Sequence, residues 1–73
     1  MSDFEMQSVS SSNMESVGYD ADNLTLRVQF HGGGVYDYIG VSQAQFDALV
    51  SSPSVGQYLN MVIKPQFEYV QVV

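Results

Sequence analysis

The segment HGGGVYDYIG, residues 31–40, sets three glycines before two tyrosines that flank an aspartate. Tyr36 and Tyr38 offer ring faces on which a base or adenine can stack, or else core packing with each hydroxyl partnered at the rim. A second chemistry-bearing stretch is SSPSVGQYLN, residues 51–60. There Ser54, Gly56 and a helix start would present hydroxyl and N–H donors to a small anion, or would simply cap the helix. Tyr58 is a ligand candidate and also an apolar position of that helix. Asn60 and Asn13, the latter preceded by Ser11 and Ser12, each carry a donor–acceptor pair that can read a base or an amide, or tie a helix to a strand. Arg27 and Lys64 are the only Lys or Arg side chains available to a phosphate.

The glycines do not read as a phosphate loop. Such loops follow a strand and open a helix, whereas here a strand follows, so Gly32, Gly33 and Gly34 predict a hairpin turn with positive φ. His31, the single histidine, is expected as a solvated turn residue at the strand end. One histidine, no cysteine and scattered carboxylates leave no nucleophile–base–orienter set, so no catalysis is expected. No metal site and no cofactor are implied. Asp20 and Asp22 are read as shaping a turn.

Seventy-three residues make one domain,. A chain this short buries only about 60–65% of its unfolded surface, and without cysteine it has no disulfide to add stability,. Its 45% hydrophobic content is globular,, so a homo-oligomer, in which a second copy covers apolar surface, is expected. Eight acidic residues against two basic ones give a net charge of −6. Polynucleotide affinity comes largely from basic side chains that displace counterions, so RNA or DNA binding is disfavoured, as is an anionic membrane surface. No apolar run approaches the ~20 residues of a membrane span, and MSDFEMQSVSSSN lacks the apolar centre of a signal peptide,. The chain reads as cytoplasmic.

Hydrophobic period and turn residues give the secondary structure around these side chains. MESVGYD (14–20) is predicted as a strand, ending in the turn DADN (20–23). LTLRVQF (24–30) sets Leu24, Leu26, Val28 and Phe30 on one face and Thr25, Arg27 and Gln29 on the other, which marks a half-buried antiparallel strand,. VYDYI (35–39) returns as its partner, with Asp37 towards water and Tyr36 and Tyr38 on the opposite face,. Ser42 and Gln45 give a capping-box start for a helix over 43–51, carried by Ala44, Phe46, Ala48, Leu49 and Val50,. Ser52 as N-cap and Pro53 at the first position predict a second helix to about residue 62. Its apolar positions are Val55, Tyr58, Leu59 and Val62, and Pro65 stops it,. FEYVQVV (67–73) is a final strand. Residues 1–12 form a polar lead-in whose Phe4, Met6 and Val9 are free to dock, and 13–73 form the single domain. The order β-β-β-α-α-β predicts a small α+β domain, an antiparallel sheet with two short helices packed on one face.

SSN (11–13), VGYD (17–20), TLRVQF (25–30), the glycine turn, YDY (36–38), GV (40–41), SxG (54–56), YLN (58–60) and Ile63 follow one another in order. Together, over residues 9 to about 70, they resemble the KTSC domain, a family named for the C-terminal region of some lysyl-tRNA synthetases and often found stand-alone in bacteria and phages. The tyrosine-x-tyrosine hallmark is carried by Tyr36 and Tyr38. The resemblance implies RNA binding, but this chain departs from the family where that role needs charge. It has Asp37 where the family tends to be basic, Val55 where lysine is common, and only Lys64 where arginines cluster.

Three functions are therefore expected in turn. The first is a non-enzymatic module for a small nucleotide-like ligand, in a phage setting a counter-defence protein that sequesters a nucleotide-derived immune signal of ADP-ribose or cyclic-nucleotide type. The second is an RNA- or tRNA-binding module. The third is a protein-interaction or assembly module.

Overall fold

The computed structural model describes residues 5–72. Hydrogen bonding between sequence neighbours builds a five-stranded antiparallel sheet in the order β1-β2-β3-β4-β5. The strands are β1 (Gln7–Ser8), β2 (Met14–Asp20), β3 (Thr25–Phe30), β4 (Val35–Ile39) and β5 (Tyr69–Gln71). The helices lie between β4 and β5 in the chain, on one face of the sheet. The α+β class and the face-packed helices agree with the sequence reading. β1 is additional, a two-residue edge inside the stretch read as a lead-in, and Phe4 lies outside the described residues.

Alternation decides the faces. Leu26 and Val28 of β3 are fully buried, and they stand opposite Tyr38 and Tyr36 of β4. On the other face Arg27 stands opposite Asp37. A bulge between Met14 and Ser16 shifts the pleat of β2, so that Met14 and Val17 both enter the core,. Leu24 departs from the expected pattern: it is 47% exposed with φ of 51°, a turn residue rather than the first core position of β3. Its carbonyl accepts hydrogen bonds from the N–H groups of Gly40 and Val41, which holds that conformation,. Asp20 shapes the same turn, its carboxylate accepting from the Asp22 N–H and the Asn23 amide.

Helix α1 (Gln43–Ser51) starts with the expected capping box of Ser42 and Gln45. Leu49 is its buried residue, with Phe46 and Val50 half-buried, whereas Ala44 and Ala48 face solvent. Ser52 closes α1 rather than opening the next helix, its N–H donating to the Leu49 carbonyl. The second helix starts two residues later, with Ser54 as N-cap. It runs as α over Val55–Tyr58 (α2), widens to a π turn over Leu59–Ile63, and closes as α over Lys64–Gln66 (α3). The helix therefore passes Pro65 instead of stopping near 62.

The wide turn has a reason in the spacing of its core residues. Val55, Leu59 and Ile63 are all buried and recur every four residues, a period that outruns the 3.6 residues of an α-turn. An i→i+5 turn takes up the excess, and the Lys64 N–H correspondingly donates to the Leu59 carbonyl. Together with Met14, Val17, Leu26, Val28, Tyr38, Val41 and Leu49 these residues form one core. Val9 packs against it from the lead-in. No helix among the described residues is long and apolar enough to cross a membrane.

Candidate functional site

At the end of the sheet where β3 turns into β4, the helix-bearing face opens into a hollow of about 460 Å³. The β3–β4 turn shapes it, with Gly32 and Gly33 at φ of 97° and 99°, a conformation glycine adopts without penalty. The hairpin expected from these glycines is therefore present. Tyr38 is 2% exposed, at once a core residue and the floor of the hollow. Tyr36 makes edge contacts with Phe30 and Tyr69, at centroid distances of 5.6 and 5.5 Å. Tyr69 stands across β4–β5 from Tyr38, with 5.7 Å between centroids, and is 59% exposed. Tyr69 is therefore open to solvent while the Tyr36 and Tyr38 rings pack against it.

The hollow holds one cation. The Lys64 ammonium lies 5.7 Å from the Phe30 ring centre, within cation–π range,. Among the described residues no carboxylate pairs with it. His31 lines the same hollow, exposed as expected, but its Nε2 also lies 3.2 Å from the Ser11 carbonyl. Burial pushes the Tyr38 phenol above its ordinary pKa, with Tyr69 and Tyr36 adding to the effect.

The sequence candidates divide between locations. Tyr36, Tyr38 and Lys64 meet in the aromatic hollow. Asn13, Ser54, Gly56 and Asn60 meet in a second hollow of about 440 Å³, between the 10–13 segment and the second helix. Gly56 lets these two segments close, since a Cβ there would sit 3.0 Å from the Ser11 hydroxyl. Part of the donor capacity expected at this helix start is taken up locally, because the Ser54 hydroxyl accepts from the Gln57 N–H. Tyr58 joins neither hollow; it is half-buried against the core and lines a smaller recess with Val62 and Met61.

Arg27 lies on the opposite face of the sheet. Its guanidinium donates to both carboxylate oxygens of Asp37, Nε to Oδ1 at 2.7 Å and a terminal nitrogen to Oδ2 at 2.9 Å. That bonding raises the Arg27 pKa further. Sequence reasoning missed Phe30, Tyr69 and His31 as lining residues. Tyr69 had no local signal, because its place beside the tyrosine pair is set by the β4–β5 register that sets it opposite Tyr38. Among the described residues no three His, Asp or Glu side chains gather as a metal site would need.

Comparison with known proteins agrees with this framework. The family model for the KTSC domain matches residues 10–67. A protein of Tsukamurella paurometabola is 40% identical over 65 residues, covering 89% of this chain and 97% of that one. A lysine–tRNA ligase of a Nostoc species is 37% identical over 54 residues, 74% of this chain but 10% of the ligase. The crystal structure of a KTSC domain protein from Yersinia pestis superposes with a TM-score of 0.92 at 37% identity, covering 97% of this chain and all of the other. The chain belongs to the KTSC domain family.

Proposed function

We propose that the protein binds and holds a small nucleotide-like ligand in the aromatic hollow, without turning it over. The observation that carries this reading is the single Lys64 ammonium, without a carboxylate partner among the described residues, beside Phe30, Tyr36, Tyr38 and Tyr69. In a chain of net charge −6, one such cation suits a phosphate on a small molecule and is too little for a polyanion. A base stacked on an aromatic ring gains about 1–3 kcal/mol. A volume near 460 Å³ falls within the usual range for small-molecule pockets,. Sequestration of a nucleotide-derived immune signal, in a counter-defence setting, is the use we propose for such capture, since holding a messenger needs affinity and no catalytic set.

Native mass spectrometry of protein purified from cells, with and without added nucleotide extract, tests the reading. A retained mass of a few hundred daltons, released unchanged on denaturation, supports it. Absence of any retained mass, together with no heat on titrating nucleotides, would sink it.

RNA or tRNA binding is the second reading, favoured by the relatives named lysine–tRNA ligase. A salt-dependent gel shift with tRNA would favour it over the first.

A further inference from the structure

The aromatic hollow and the serine–asparagine hollow share a wall. On the sheet side, the His31 N–H donates to the Asn13 carbonyl at 2.9 Å, and the His31 ring lies against the Ser11 carbonyl. His31 lines the first hollow, whereas Ser11 and Asn13 line the second. On the helix side, Lys64 of the first hollow follows Asn60 of the second by four residues, across the π turn.

The two hollows differ in chemistry. The first is ringed by aromatic side chains and carries the cation. The second contains no charged side chain and is lined by hydroxyls and amides, among them Ser12, Asn13, Ser54, Gln57 and Asn60. Such groups both donate and accept, which suits a neutral ligand bearing several hydroxyls.

We propose that the two hollows form one elongated site for a two-ended ligand. An aromatic heterocycle would occupy the first hollow, a phosphate linkage would pass Lys64 and His31, and a hydroxyl-rich group such as a second ribose would occupy the other. The ligand class is a nucleoside diphosphate joined to a sugar. This inference rests on the nucleotide reading above and adds the requirement for the second half. A nucleoside monophosphate fills the first hollow alone and leaves the Asn13 and Asn60 amides unused.

Calorimetric titration of AMP and of ADP-ribose into the full chain tests this, using wild type, Asn60→Ala and Asn13→Ala. Both asparagines are exposed, so either can be shortened without opening the core. Wild type is expected to bind ADP-ribose about ten-fold more tightly than AMP, the equivalent of ~1.4 kcal/mol. Each substitution should remove several-fold of the ADP-ribose affinity and leave AMP unchanged. Equal affinity for the two ligands, or equal weakening of both by the substitutions, overturns the two-ended site while the nucleotide reading stands. Binding of neither ligand overturns both.

Discussion

Arg27 donates two hydrogen bonds to the Asp37 carboxylate across neighbouring strands, on the face away from the hollows. One of the chain's two Lys or Arg side chains is thus engaged far from the candidate site. The pair is partly solvated, with side-chain exposures of 31% and 16%, so its worth is at most about 1 kcal/mol. Asp37→Ala should lower stability by about that amount in urea denaturation and leave nucleotide affinity unchanged. A lost affinity would mean that the two faces communicate. Tyr38 behaves differently, because burial favours its neutral phenol, as burial and then the charges of Asp20 and Asp47 favour that of Tyr19. A raised folded-state pKa adds stability that is intact below the ordinary tyrosine value near 10 and is lost as pH climbs through the raised one. Thermal midpoints should therefore hold between about pH 7 and 9 and fall above about 10. Tyr38→Phe should soften that alkaline fall, and an unaltered slope would contradict the assignment.

At the scale of elements, the second helix combines a cap, a π turn and a proline within one run. Leu59 is 1% exposed at the start of the π turn. Leu59→Ala should cost about 2–5 kcal/mol, a large share of the roughly 4–11 kcal/mol expected for a domain of this length. Denaturant midpoints measure this, and a loss well under 1 kcal/mol would show that the turn is loosely packed. The strands were legible because Leu26, Val28 and Phe30 alternate with polar residues, and the parity of Asp37 correctly sent both tyrosines inward. The helix was less legible. Ser52 and Ser54 are both capable caps, and only the packed chain assigns the first to ending α1 and the second to starting α2. The four-residue spacing of Val55, Leu59 and Ile63 was in the sequence, but a 3.6 period could not use it. Of the candidate site, the tyrosine pair and Lys64 were legible. Tyr69 depended on β5 pairing with β4, a contact between residues distant in the chain.

For the whole molecule, the limited core of a 73-residue domain leads to the expectation of self-association,. Ile39, Val70 and Val72 offer an apolar surface for it, at 47%, 58% and 44% exposure on the β4–β5 side of the sheet. A second copy seated there would also meet Asp37, the cross-strand partner of Val70, already ion-paired with Arg27. Val70→Lys should convert an associated form to monomer in size exclusion with light scattering, and wild type that stays monomeric at all concentrations would refute the idea.

Capture of a nucleotide-like ligand by Lys64 and the surrounding rings is open to a single titration. Calorimetric titration of AMP into wild type and Lys64→Gln tests it most directly, since the lysine is exposed and its loss spares the core. Saturable binding by wild type is expected, weakened about ten-fold by the substitution, with a reduced dependence on salt. Binding that is absent in wild type, or identical in both proteins, would contradict it.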